Sequence, residues 1–155
     1  MPPALHSVHR VWLAGLLMVF LAACGVIGPS KGSVEKFCGE VVPVIAEWRG
    51  DALKPYGTDA FNAKLGSAEQ QRMFVTFSKL GELISFETPS MTGYSTATGQ
   101  GTFVTVEIKV KFARGPALMR LTLSSSGGEM KLQGVDITAP VFADPRAQPN
   151  AVQEI

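Results

Sequence analysis

Two cysteines and two histidines are the residues whose types most often carry out chemistry: Cys24, Cys38, His6 and His9. A cysteine thiolate is a nucleophile, and histidine is the commonest general base and metal ligand. Both histidines precede a 13-residue apolar run, residues 11–23, and Cys24 follows that run directly. If the run is removed as a targeting segment, the mature chain has no histidine, which excludes a Ser-His-Asp triad and a histidine-ligated zinc site. We therefore predict no catalytic and no metal-binding residues, and expect that the protein is not an enzyme.

The N-terminal segment has the organisation of an export signal. Arg10 and the amino terminus provide positive charge, and the apolar run is shorter than the ~20 residues that a membrane-spanning helix needs. The run ends in LAAC at residues 21–24, which resembles the lipobox of bacterial lipoproteins. The resemblance implies cleavage before Cys24, a diacylglycerol on the Cys24 sulfur, and a further acyl chain such as palmitate on the new amine. Two or three acyl chains hold a protein firmly at a membrane, whereas a single chain binds marginally.

The same resemblance divides the chain into a signal peptide over residues 1–23 and a flexible tether over residues 24–32. It places the protein in the bacterial cell envelope, facing the periplasm, with the covalent lipid on Cys24 and no other cofactor. Gly25, rather than Asp, follows the cysteine, which favours the outer membrane over the inner membrane. Two alternatives stay open: an ordinary secretory signal with a chance cysteine, and a short uncleaved anchor.

Charge and cysteine count limit the remaining functions. The formal net charge is +1, and a protein that binds nucleic acid normally needs a clustered basic face, so we expect no nucleic-acid partner. Cys38 cannot close a disulfide within the chain if Cys24 carries lipid. It is either a reactive or intermolecular thiol, or a small apolar residue on a helix face. Its place beside Phe37 in an apolar stripe favours the second interpretation.

Apolar residues recur at spacings of three and four in the first half of the mature chain, which predicts helices. The first helix is expected to begin with Ser33 as its N-cap. Pro43 should kink or divide this helix, and Gly50 should end it. Two later helices are expected to begin at the caps Thr58 and Ser67.

The second half of the chain changes to a period of two, which is the period of β-strands. Residues 102–112 predict a long, half-buried antiparallel strand, followed by turns at residues 114–116 and 126–129. The alternation slips by one residue at Gly134, which predicts a β-bulge. The apolar face of the long strand consists of Val104, Val106, Ile108, Val110 and Phe112.

This order predicts an α+β protein in which two or three N-terminal helices pack on a curved antiparallel sheet of about four strands. We expect one domain over residues 33–139 and a disordered tail over residues 140–155. The order resembles the cystatin-like or nuclear-transport-factor-2-like fold. The stretch from Phe74 through Leu80-Gly81 to the first strand is similar to small bacterial lipoproteins of unknown function with that fold. Enzymes of this superfamily carry Asp, His or Tyr between helix and sheet, so here the resemblance implies the fold and no catalytic set.

Two groups of residues are candidates for binding. Residues 88–102 carry no charged side chain and are rich in Ser, Thr and Gly. Tyr94 is the single aromatic residue in this stretch. This stretch is expected to be a hairpin loop that anchors a ligand or protein partner through Tyr94, or else a flexible hairpin or threonine-rich edge strands. The second group, which could line an apolar pocket between helices and sheet or belong to the core, consists of Trp48, Tyr56 and Phe61.

The polar side of the long strand carries Glu107, Lys109 and Lys111, with Arg120 expected beside them. These residues form either a mildly basic patch for anionic lipid or peptidoglycan, or a solvated face with cross-strand ion pairs. We expect a non-enzymatic envelope lipoprotein that binds a protein partner, or contributes to envelope assembly, through its sheet face and polar hairpin. The alternative is a module that binds a small apolar or amphipathic ligand in the cone between helices and sheet.

Overall fold

The computed structural model describes residues 28–97 and 101–142, and its fold class is the predicted one, α+β. The expected signal peptide, Cys24 and the residues after 142 lie outside the described residues. The α-helices are α1 (Lys31–Ile45), α2 (Gly50–Leu53), α3 (Asp59–Leu65) and α4 (Ala68–Phe77). The strands are β1 (Leu83–Phe86), β2 (Ser90–Ala97), β3 (Gly101–Phe112), β4 (Gly115–Ser126) and β5 (Glu129–Thr138). Short 3-10 turns cover Lys54–Tyr56, Ser78–Leu80 and Pro140–Phe142.

The ends of α1 differ from the prediction. Its N-cap is Ser30 rather than Ser33, because the Ser30 side chain accepts a hydrogen bond from the backbone N–H of Ser33. Pro43 does not divide the helix. It lies in the last turn, so its missing N–H removes one bond of the ladder, and the helix ends two residues later at Ile45. Gly50 does not end α1. The helix ends at Ile45, and Gly50 begins α2.

The caps predicted for the later helices are confirmed. The Thr58 side chain accepts a hydrogen bond of 3.2 Å from the backbone N–H of Phe61, and Ser67 accepts one of 3.1 Å from that of Gln70. Each bond satisfies a donor that the first turn of a helix leaves without a partner. The first residue of each of these two helices is therefore set by the N-cap residue that precedes it.

The sheet has one broken edge strand. Its order is β1-β3-β4-β5, and β2 also pairs with β3, so β1 and β2 lie in succession along the same side of β3. Five strands form instead of about four because this edge is interrupted at residues 87–89. Pro89 lacks the N–H that a ladder requires, and Glu87 makes the last backbone bond before it, to Lys109.

The β-bulge predicted at Gly134 is confirmed. Thr122 of β4 lies opposite Gly134, and Leu123 lies opposite Leu132, so Gln133 is the extra residue on β5. The register shift keeps apolar residues on one face before and after it. Leu132 and Ile137 are therefore both buried.

One face of the sheet, here called the inner face, packs against the helices and forms the core. All five apolar residues predicted for the long strand are at most 3% exposed. They meet the apolar side of α1, where Val41, Val42 and Ile45 are fully buried. Phe142 packs at the border of this core, with its ring 6.1 Å from that of Phe77, so the expected tail is ordered at least to that residue.

Candidate functional site

The opposite, outer face of the sheet is covered by no helix or strand among the described residues. Four small residues lie side by side across it, one from each of four strands, and we call them the small-residue row: Gly93, Thr105, Thr122 and Gly134. A methyl group on Gly93 would approach Thr105 Cβ to 3.2 Å, and one on Gly134 would lie 3.7 Å from Thr122 Cβ. We call this strip of short side chains across the sheet the trough; two threonine hydroxyl groups lie in its middle.

A charged row flanks the trough on one side. It consists of Ser90, Glu107, Arg120 and Asp136, which lie opposite one another on β2 to β5. Arg120 Nη2 lies 2.7 Å and Nε 3.1 Å from the same oxygen of Glu107. This hydrogen bond raises the pKa of Arg120 above its ordinary value, and the Coulombic attraction of Glu107 and Asp136 adds to the effect. The guanidinium is therefore held by Glu107, with Asp136 opposite Arg120 on the neighbouring strand.

A mixed row flanks the trough on the other side. It consists of Ser95, Phe103, Ser124 and Lys131, and Phe103 is its one aromatic residue. The Phe103 ring is partly exposed, because no helix covers this face. An uncharged floor beside charged groups and an aromatic ring can receive apolar and polar side chains together.

The prediction of cross-strand ion pairs on this face is confirmed by the Glu107–Arg120 pair. Lys109 also has a carboxylate partner, since its Nζ lies 3.4 Å from Glu87 Oε2 on the edge segment. Two of the three cations predicted for this patch, Lys109 and Arg120, are thus paired with carboxylates, which weakens its attraction for anionic lipid. This arrangement supports the solvated-face interpretation over the basic patch.

Tyr94 lies outside the outer face. It sits on β2 opposite Val104, and so has the parity of the inner face, yet it is 55% exposed beyond the edge of the helices. The backbone at Gly28 runs beside its ring, since a side chain at Gly28 would collide with the Tyr94 hydroxyl. Most of the expected polar hairpin is therefore edge strand, and residues 98–100 lie outside the described residues.

The rings of Trp48, Tyr56 and Phe61 do not meet around one cavity. Phe61 is 5% exposed and belongs to the core, and Tyr56 packs edge-on against Phe37 with centroids 6.2 Å apart. The Trp48 ring lies between two phenylalanines, 5.8 Å from Phe77 and 5.5 Å from Phe112. Binding of a small apolar ligand between helices and sheet stays a prediction, and the packing of these rings gives it no support.

Trp48 is the one described non-glycine residue in the left-handed region, with φ of 55°. Its indole N–H is buried without a hydrogen-bond partner among the described residues. A large aromatic residue rarely adopts this backbone conformation, so its ring packing must hold it there. The residue acts in the fold by closing the turn after α1.

Cys38 is fully buried within α1, which confirms the interpretation as a packed apolar residue. Burial raises the pKa of its thiol from 9.0 to about 11. Because the thiolate is the nucleophile, such a thiol is unreactive near neutral pH.

We expect the native protein with Cys24 replaced by serine to resist iodoacetamide at pH 8 and to react fully in denaturant. Mass spectrometry of the alkylated chain measures this directly. Fast alkylation without denaturant would contradict the burial of Cys38. The matched control is Val75→Cys, an exposed thiol on α4 that should react in the native protein.

No cluster of three or more potential metal-ligating side chains occurs in the described residues. None of the helices described here is both long enough and apolar enough to cross a membrane. Comparison of the chain with protein-family models, with curated proteins and with solved structures yields no match. The fold and the outer face are thus the features from which a function can be argued.

Proposed function

We propose that the chain is a non-enzymatic lipoprotein of the bacterial cell envelope whose outer sheet face binds a protein partner. In this proposal, acylated Cys24 holds the domain at the periplasmic side of the membrane, with the outer membrane favoured. The observation that carries the proposal is the contrast between the two faces of the sheet. The helices bury the apolar residues of β3 and β4 on one face, and the other face is left open with the small-residue row across its centre.

The dimensions and chemistry of the trough fit a protein partner. Four strands spaced ~4.8 Å apart make the small-residue row about 14 Å long, and the flanking rows each lie two residues, or ~7 Å, from it along the central strands. This space admits one element of secondary structure. The hydroxyl groups of Thr105 and Thr122 can donate and accept hydrogen bonds at its centre. The charged row has two carboxylates for one guanidinium, and Asp136 is exposed at its end. We therefore expect the partner to place a basic side chain against Asp136.

A photocrosslinking experiment in intact cells tests this proposal. Leu118 lies on the outer face next to the charged row, and Val75 is exposed on α4, within the helix layer. Benzoylphenylalanine at position 118 should form a defined protein adduct after irradiation, and the same amino acid at position 75 should not. Adducts of equal yield at both positions, or none at position 118, would contradict the proposal.

A second pair of variants identifies the trough as the contact. Thr105→Lys places a long charged side chain on its floor and should remove the adduct formed at position 118. Thr76→Lys makes the same change on the exposed surface of α4 and should leave the adduct intact. An adduct that survives Thr105→Lys would show that the partner does not enter the trough.

A further inference from the structure

The described chain begins beside the most exposed aromatic residue of the sheet. Gly28 contacts the Tyr94 ring, and residues 28–30 lead from there to the cap of α1. Only three residues lie between Cys24 and Gly28, so the chain takes four residue steps from one to the other. Since an extended residue spans at most ~3.6 Å, a segment of this length reaches no farther than about 14 Å, so the proposed lipid anchor is attached close to this edge in the sequence.

The edge strand at this point is uncharged and carries two exposed side chains, Met91 and Tyr94, that suit a lipid surface. Met91 and Tyr94 are 43% and 55% exposed, and both have inner-face parity on β2. No residue of β2 carries a charge, so bringing it to a membrane desolvates no ion. Tyrosine is favoured at the membrane–water interface, where its ring is buried and its hydroxyl stays hydrated.

The opposite edge of the sheet has a different character. On β5, Glu129, Lys131 and Asp136 are charged, and the backbone N–H of Thr58 donates to the carbonyl of Leu132. This edge is thus partly covered by the chain itself and is costly to desolvate. Of the two edges, the one beside the tether is the one suited to contact lipid.

We propose that β2 lies against the membrane surface, with Met91 and Tyr94 in the interfacial layer. This inference rests on the proposed acylation of Cys24. With β2 at the membrane and β5 away from it, the plane of the sheet is perpendicular to the membrane surface. The outer face then points sideways, and the small-residue row is accessible to a partner. The tether and the edge strand together then set the orientation of the domain.

Tryptophan fluorescence in vesicles tests this orientation. Tyr94→Trp and the matched control Val75→Trp are produced in a bacterial host that acylates lipoproteins, purified in detergent and reconstituted with phosphatidylethanolamine–phosphatidylglycerol vesicles with brominated acyl chains. Trp48 is common to both proteins. Relative to unbrominated vesicles, the variant with tryptophan at position 94 should lose emission and shift to the blue, and the control should do neither.

Flotation of the vesicles separates the two ways in which the proposal can fail. A protein that does not float with the vesicles lacks the anchor, which overturns the lipoprotein proposal and this inference together. A protein that floats, but whose tryptophan at position 94 is quenched no more than the one at position 75, keeps the anchor and overturns the orientation alone.

Discussion

Replacing Cys24 with serine is expected to move the protein from the membrane fraction to the soluble fraction and to leave it as the unprocessed precursor. Serine has no thiol to receive diacylglycerol, and without that lipid the two or three acyl chains are lost. Each buried methylene contributes about 0.8 kcal/mol, so the loss removes nearly all of the membrane affinity. The 13-residue apolar run left on the precursor is too short to span a bilayer.

The matched control for this experiment is Cys38→Ala, which removes the other cysteine of the chain. Cys38 is buried in α1, so its replacement should leave the protein in the membrane fraction. The measurement is cell fractionation followed by immunoblotting, in which the precursor migrates more slowly than the mature form. Membrane association of the Cys24→Ser variant equal to that of the native protein would refute acylation at this site.

Leu121→Ala is expected to cost about 2–5 kcal/mol in the free energy of unfolding. Leu121 is fully buried at the centre of β4, against the residues of α1 and β3 that form the core. The loss is large beside the ~5–15 kcal/mol that stabilises a typical domain. Urea unfolding followed by circular dichroism measures it.

Leu118→Ala is the matched control, because Leu118 has the same side chain on the same strand but faces outward. Substitutions on an uncovered surface change stability little, so its cost should be about 1 kcal/mol or less. Equal losses for the two variants would mean that both faces of the sheet are covered, which is incompatible with an open outer face.

The parts of the fold that could be predicted from the sequence are those decided by neighbours in the chain. Thr58 and Ser67 cap helices through bonds to backbone groups three residues ahead, and the alternation from residue 102 to 112 follows from burial of one face. The start of α1 could not be chosen in this way. Ser30 and Ser33 are both suitable caps, and in the structure the Ser33 hydroxyl donates to the Ser30 carbonyl inside the first turn.

The end of α1 depends on contacts that are distant in sequence. Trp48 packs against Phe77 and Phe112, and this packing holds a left-handed backbone that ends the helical path before Gly50. A glycine is the usual signal for such an ending, so the local pattern pointed to the wrong residue.

The outer face was predictable only in part. Alternation places Thr105 and Thr122 on the polar side of their strands, and the turn between β3 and β4 sets them opposite each other. The two glycines at the ends of the row differ in this respect. The slip in alternation at Gly134 predicted the bulge that places this glycine in the row. Gly93 reaches its place through a register shift between residues 91 and 93, which the alternation does not reveal. The complete row could therefore not be predicted from periodicity alone.

The most direct test of the central claim is the intact mass of the mature protein purified from membranes of a bacterial host. We predict a chain that begins at Cys24 and carries diacylglycerol on its sulfur, with or without an acyl chain on its amine. A chain with an unmodified thiol at that position, or one that retains residues 1–23, would contradict the account.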